Sequence, residues 1–299
     1  METTRTKARL ALIGGSGLYD MKGARVVEEL DVPTPWGMPS DPITIADIGG
    51  EPVAFLPRHG RGHRFLPSEV PSRANIWALK LLGVSQIISI SAVGSLSSGY
   101  SPGELVLCDN LIDRTVRRAP SFFGDGVVGH VSFAEPFCPG IRAALAEVLV
   151  KRGHAHHDTG TYVCMEGPAF STRAESDLHR SWRAALIGMT ASPEAKLARE
   201  AEICYAVLAM VTDYDCWAPS DEGVTVDMVL RTMKSTIEAV RSMIPDFIDG
   251  IKAREDCACR HAAENAIMTD PSAIPWETRR RLSLFYGRYW ESRGRGADG

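Results

Sequence analysis

The chain has 299 residues, 44% hydrophobic and 23% charged, the proportions of an ordinary globular protein long enough to bury a large core as one big domain or two small ones. Its 33 Lys and Arg against 37 Asp and Glu leave a net charge of -4, so bulk electrostatics favour neither nucleic acid nor an anionic membrane, and ligand affinity has to be local. The longest apolar stretches, such as 203–211, fall well short of the roughly 20 residues that cross a bilayer, and the polar start Met-Glu-Thr-Thr-Arg-Thr-Lys lacks an apolar signal core, so a cytoplasmic protein is expected.

Short aliphatic runs ending in Gly, Ser, Thr or Asp alternate with helix-like segments, which predicts an α/β fold. In chain order, 10–13 leads into Gly14-Gly-Ser-Gly17, 53–56 into Pro57-Arg-His-Gly60, and 86–90 into Ser91-Ala-Val-Gly-Ser-Leu96. Later, 184–187 leads into Gly188-Met-Thr190, and 203–211 into Thr212-Asp-Tyr-Asp215. Helices are expected over 74–82, 139–152, 171–183, 193–201 and 225–243. In the last, Val226, Val229, Leu230 and Met233 recur at three and four residues and make one apolar face. Ser192-Pro193-Glu194 is a helix start, with Pro in the first turn and an acid behind it. In an open α/β sheet the ligand crevice lies beyond the carboxyl ends of the strands, so these polar strand tails converge on one pocket.

Two regions break the rhythm. The aromatic-rich stretch 120–139 is long for a structureless connection, which marks a lid, a binding loop or a contact between subunits. Beyond about residue 250 the chain becomes more charged, so residues 1–250 are expected to form the single catalytic domain. Residues 251–299 then make a helical tail with a disordered end.

Cys108, Cys138, Cys164, Cys204 and Cys216 stand singly beside apolar or aromatic residues and read as small, reduced, buried hydrophobes. Cys257 and Cys259 are half of a zinc site at most, and no second pair follows in the sequence. Two reduced thiols and no metal are expected.

Gly14-Gly-Ser-Gly17 matches neither G-x-G-x-x-G nor the P-loop pattern. It is either a tight structural turn or a cluster of backbone N–H groups and a hydroxyl fit for a free phosphate. Arg58 and His59 at a strand end suit a tetrahedral oxyanion; His59 and His63 have helical metal spacing, but two glycines intervene and no carboxylate accompanies them. Ser91-Ala92 and Met189-Thr190 add further hydroxyls after strands, and neither is a nucleophile elbow. Asp213 and Asp215, two apart in an extended strand, would point to one face, where like charges raise one pKa and leave a proton donor. A metal site and a helix cap remain open for that pair.

Together Leu12-Ile-Gly-Gly-Ser-Gly-Leu18, Pro57-Arg-His-Gly60, Asn75-Ile-Trp-Ala-Leu79, Ser91-Ala-Val-Gly-Ser95, Glu135-Pro-Phe-Cys-Pro139, Glu166-Gly-Pro-Ala-Phe-Ser-Thr-Arg-Ala-Glu-Ser176, Met189-Thr190 and Ala209-Met-Val-Thr-Asp-Tyr-Asp-Cys-Trp217 resemble the methylthioadenosine phosphorylase branch of the purine nucleoside phosphorylases, colinearly over about residues 8–245. The resemblance implies a single-domain nucleoside phosphorylase-type fold, with a mixed twisted central sheet flanked by helices. It implies phosphorolysis of S-methyl-5'-thioadenosine to adenine and 5-methylthioribose 1-phosphate, with inorganic phosphate as co-substrate and no metal or organic cofactor.

By position, Ser16, Arg58, His59, Ser91, Ala92 and Thr190 match the family's phosphate contacts. Met189 matches a ribose contact; Phe170 and Ser171 line the base pocket; Asp213 and Asp215 read the purine edge. Val226, Val229 and Leu230 match the wall of the 5'-alkylthio pocket, and His130 matches a residue lent by a neighbouring subunit in the family's trimers. The partners implied are therefore a nucleoside, phosphate and further copies of the chain, as a homotrimer or a dimer of trimers. Ala169 and Gly188 depart from the family pattern near the ribose, which admits 5'-deoxyadenosine or adenosine as further substrates. The competing readings are a 6-oxopurine nucleoside (methylthioinosine or inosine) phosphorylase, a non-catalytic nucleoside-binding protein and a metal-dependent nucleoside hydrolase.

Overall fold

The computed structural model describes residues 6–15, 18, 23–218, 225–252 and 257–293. In chain order the strands are β1 (Leu10–Gly14), β2 (Ala24–Leu30), β3 (Ile43–Ile48), β4 (Glu51–Pro57), β5 (Gln86–Ser95), β6 (Leu105–Leu107), β7 (Asn110–Asp113), β8 (His156–His157), β9 (Thr161–Cys164), β10 (Leu186–Gly188) and β11 (Cys204–Asp213). The helices are α1 (Ser72–Leu81), α2 (Pro139–Arg152), α3 (Arg173–Ser181), α4 (Ala191–Glu200), α5 (Val226–Lys252) and α6 (Trp276–Arg293). All strands join one mixed sheet, in the order β2-β3-β4-β1-β5-β10-β9-β7, with β11, β6 and β8 branching from β5.

β5 is the hub. It pairs in parallel with β1 and β11, and its last residues turn to pair antiparallel with β10. Its register sets Ser91 opposite Ala209 and Gly94 opposite Asp213, with an irregularity between Val211 and Asp213.

The continuous apolar run of β11 follows from cover on both faces, as expected for a central parallel strand. Alternate residues serve two cores: Tyr205, Val207, Ala209 and Val211 face one, and Ala206, Leu208 and Met210 the other. α1, α4 and α6 fill the first side; α2 and α5 fill the second.

Three details differ from the sequence reading. α5 continues through Pro245 to Lys252 rather than ending near Met243, because Val240, Ile244, Phe247, Ile248 and Ile251 bury a continuous apolar face that outweighs one lost backbone hydrogen bond. The strands β2 and β3 arise from a segment with no clean alternation: β2 is largely exposed and carries Glu28 and Glu29. In α4, Ser192 is extended (φ -107, ψ 137), so helical geometry starts at Pro193.

The stretch 120–139 runs without regular structure between Phe122, packed 4.6 Å from Phe285 of α6, and Phe137, fully buried near Tyr205. Residues from Cys257 onward contribute Ala263, Ile267, Ile274, Leu282, Phe285, Tyr286 and Trp290 to the same core as α1 and α4. The disorder expected at the very end falls on residues 294–299, outside the described ones.

Candidate active site

A cavity of about 240 Å³ opens at the carboxyl ends of β5, β10 and β11. Its wall brings together His59, Ala92, Phe170, Ser171, Met189, Thr190, Asp213, Asp215 and Val229 of the expected site residues, and adds His63, Pro67 and Met165. Ser91 lies directly behind Thr190, the two hydroxyls 2.9 Å apart. Ser16 is outside the described residues. Val226 and Leu230 are exposed and do not line the cavity, and His130 is exposed on the 120–139 stretch, where its N–H donates to the Ala266 carbonyl.

Arg58 at the end of β4 is 4% exposed and turned into the fold. Its Nε and Nη2 grip the two carboxylate oxygens of Glu194 at 2.5 and 3.2 Å, Nη2 also donates to Ser89 Oγ at 2.6 Å, and Nη1 to the Ile90 carbonyl at 3.3 Å. Glu194 accepts further from Ser89 and Tyr205. The bidentate fork expected for an oxyanion is therefore spent on a carboxylate. Of five guanidinium N–H groups, four have partners within the protein, and Arg58 itself does not line the cavity.

Burial and then the neighbouring Arg58 charge push His59 down to about 4, and its Nδ1 lies 2.9 Å from the Phe65 carbonyl. At neutral pH His59 is thus an uncharged imidazole with Nδ1–H fixed on that carbonyl, which leaves Nε2 as an acceptor. It suits a monoprotonated oxyanion or a sugar hydroxyl, in place of the cationic contact the sequence suggests.

Thr190 is positioned by Tyr162: its N–H donates to the phenol oxygen at 3.3 Å, and the two hydroxyls are 3.4 Å apart. A Cβ on Gly188 would overlap that phenol oxygen, so Gly188 and Tyr162 are one steric unit. The departure at Gly188 noted in the sequence is the space that Tyr162 occupies. Gly94 plays a similar part opposite Asp213, where a Cβ would lie 2.9 Å from Oδ1.

Asp213 and Asp215 are both at the cavity, but not as adjacent teeth of one strand. β11 ends at Asp213, and Asp215 starts a 3-10 turn with φ 50. Asp213 is held as an acceptor: Thr212 Oγ1 donates to Oδ2 at 2.7 Å and the Asp215 N–H to Oδ1 at 2.8 Å. Asp215 has its pKa raised, chiefly by burial, with the Asp213 charge a smaller cause than the sequence reading supposes. Asp215 Oδ2 is buried with no hydrogen-bond partner among the described residues. A buried carboxyl atom with no partner is costly, and it belongs to a residue of the cavity wall.

One organising residue has no signature in the sequence. Arg118, its side chain 4% exposed, donates from Nη1 to the Met189 and Ser192 carbonyls, each at 2.6 Å. From Nη2 it reaches the Met165 and Glu166 carbonyls, and from Nε it reaches Glu166 Oε1 at 2.9 Å. It ties the loop before Phe170 to the loop holding Met189 and Thr190. Nothing in Arg117-Arg118 distinguishes it from a solvated basic pair.

A profile of the Phosphorylase superfamily matches residues 9–249. The chain belongs to this superfamily. It is 50% identical over 281 residues to the S-methyl-5'-thioadenosine phosphorylase of Geobacter sulfurreducens, covering 94% of this chain and 98% of that one. To the enzyme of the same name from Koribacter versatilis it is 47% identical over 291 residues, covering 97% and 100%. Among solved structures, a methylthioadenosine phosphorylase from an Antarctic soil metagenomic library superposes with a TM-score of 0.90 at 44% identity, covering 94% of this chain and 99% of that one. The Schistosoma mansoni methylthioadenosine phosphorylase in complex with adenine superposes with a TM-score of 0.80 at 34% identity, covering 94% and 98%. The expected fold, a nucleoside phosphorylase-type mixed sheet with flanking helices, is borne out. No helix among the described residues is long and apolar enough to cross a membrane.

Two outcomes follow for this phosphorylase. Arg58→Met strands a buried Glu194 and is expected to cost about 3–5 kcal/mol of stability, whereas the double variant Arg58→Met/Glu194→Met regains most of it; a urea-denaturation cycle in which the two changes simply add contradicts the pairing. In an NMR titration of the imidazole, His59 is expected to stay neutral down to about pH 4. Because its folded pKa lies below the ordinary histidine value, the unfolded chain binds the proton more readily, and stability falls as pH drops from about 6.5 toward 4. A midpoint near 6.5 would contradict the burial argument.

Proposed function

We propose that this protein catalyses phosphorolysis of S-methyl-5'-thioadenosine by inorganic phosphate, releasing adenine and 5-methylthioribose 1-phosphate. The observation that carries the reading is one cavity lined by Thr190, backed by the Ser91 hydroxyl, together with His59, Asp213 and Asp215, in a chain matched almost end to end by methylthioadenosine phosphorylases.

The chemistry follows from the bond broken. Cleavage of an N-glycosidic bond leaves a poor purine anion and an oxocarbenium-like sugar, so a donor at N7 and an anion beneath C1' lower the barrier together. Asp215, its pKa raised chiefly by burial, is the proton donor of this reading, and Asp213 the acceptor. Phosphate, held by Thr190, Ser91 and His59, supplies the nucleophile. The reaction so written needs no metal or organic cofactor.

An acceptor carboxylate pairs with the exocyclic amine of adenine, whereas a 6-oxopurine would set two acceptors against each other. Mispaired buried polar groups of that kind cost orders of magnitude in specificity, which disfavours methylthioinosine and inosine. Met189 underlies the ribose, Phe170 and Ser171 flank the base, and Val229 with Pro67 walls the 5' substituent. That apolar wall favours a 5'-alkylthio or 5'-deoxy group, which leaves 5'-deoxyadenosine a further substrate and adenosine a poorer one. A homotrimer fits the same reading: Phe170, Val226 and Leu230 are exposed although apolar, and His130 stands near exposed Val128 and Met268, a surface for a neighbouring subunit. The seven unpaired thiols suit a cytoplasmic setting.

Adenine release from S-methyl-5'-thioadenosine is expected to require phosphate and to fall to background in phosphate-free buffer. Equal rates with and without phosphate would indicate a hydrolase, and no release in either would indicate a binding protein. Asp215→Asn is expected to lower kcat/KM for the adenine nucleoside by about 10²–10⁴ and to shift the ratio of rates toward inosine. An unchanged ratio would remove Asp215 from base recognition.

A further inference from the structure

Cys138 and Cys204 stand alone in the sequence, and the Cys257–Cys259 pair has no second pair beside it; the fold gathers all four. Cys138 sits at the N-terminal end of α2, Cys204 opens β11, and Cys257 and Cys259 flank Ala258 in a short 3-10 turn beyond α5. Their four sulfurs lie within 4.8 Å of one another, Cys138 Sγ is 3.6 Å from Cys257 Sγ, and none is in a disulfide.

Those distances discriminate between chemistries. A disulfide needs sulfurs about 2.05 Å apart. A tetrahedral zinc thiolate has Zn–S bonds of about 2.3 Å, so its sulfurs are about 3.8 Å apart. The observed spacing is that of the second arrangement, slightly open. Cys138, Cys204 and Cys259 are buried and Cys257 is half-buried. A neighbouring cavity of about 190 Å³, lined by Cys138, Cys204 and Cys257 with Gln86, Ile141 and Ile251, gives an ion a way in. It shares no lining residue with the active-site cavity.

Cys138 caps the N-terminus of α2, whose partial positive charge favours a thiolate, and the Arg199 charge acts on Cys259.

We propose that Cys138, Cys204, Cys257 and Cys259 form a tetrathiolate site for a soft divalent cation, zinc foremost. Each thiol gives up its proton as the ion binds, so four thiolates and Zn²⁺ carry a net charge of -2, partly offset by the α2 N-terminus and Arg199. All four ligand positions come from the protein, which makes the site structural rather than catalytic. It clips the start of the segment 257–293 to β11 and α2. That segment in turn pairs Ile267 with Gly129 and donates from the Met268 N–H to the Val128 carbonyl, next to His130. The expectation of a reduced, metal-free pair in a charged tail is thereby revised, since the missing ligands come from 53 to 121 residues away in the chain.

The test uses the full chain, expressed without a metal-binding tag and purified reduced and free of chelator, with zinc measured by plasma mass spectrometry. About one zinc ion per chain is expected, and it should be lost in Cys257→Ser/Cys259→Ser, a change in the 3-10 turn beyond α5 that lies outside the sheet. Cobalt added to the zinc-stripped protein should give the charge-transfer and red ligand-field absorption of a tetrahedral thiolate complex, a readout independent of turnover. Zinc at background in wild-type protein with freely alkylated thiols overturns the proposal. So does disulfide bonding among these cysteines in cells quenched with alkylating agent, or zinc retained by the double variant.

Discussion

Arg58 and Glu194 are charges removed from water and set against each other between the end of β4 and the first turn of α4. Isolated, either would be prohibitive at that depth; paired, with Ser89 and Tyr205 donating to Glu194 and with Ser89 and Ile90 accepting from Arg58, they leave one guanidinium N–H over. The network connects β4, β5, β11 and α4, and β5 and β11 end in the cavity wall. Met189 and Thr190 precede α4, so the pair also fixes where the hydroxyls stand. Arg118 does the same from the other side by holding carbonyls of both loops.

This arrangement gives the anion end an unusual electrical character. Arg58 is countered by Glu194, and His59 is kept neutral by burial and by Arg58 itself. In the proposed reading, phosphate is then recognised mainly through hydrogen bonds from hydroxyls, with little net positive charge to hold its electrons back. A nucleophile benefits from such a site, because strong pairing with a cation would stabilise the ground state along with the transition state. At the proposed purine end, Asp213 is fastened by Thr212 and the Asp215 N–H, while Asp215 Oδ2 has no partner among the described residues. The two ends are thus tuned in opposite ways: one suppresses cationic charge, and the other uses burial to raise the Asp215 pKa.

The strand tails were legible because a polar residue directly after an apolar run is uncommon unless something binds there, and His59, Thr190, Asp213 and Asp215 all reach the cavity. Arg58 was legible as important and misread in its partner, since no local pattern links it to Glu194, 136 residues away. Arg118 was invisible because its acceptors are backbone carbonyls, which every residue has. β2 went unseen because a mostly exposed strand has no hydrophobic alternation, and the length of α5 because Pro245 reads locally as a stop while the buried face decides otherwise. Cys138 and Cys204 looked like packing residues because their company is assembled by the fold.

The most direct measurement is a crystal structure of the protein with phosphate and an uncleavable adenine nucleoside analogue. The anion is predicted within hydrogen-bonding distance of Thr190, Ser91 and His59, with the purine amine on the Asp213–Asp215 pair and the 5' group toward Val229. An anion seated away from those hydroxyls, or a purine that leaves Asp215 Oδ2 unpartnered, would contradict the site as described.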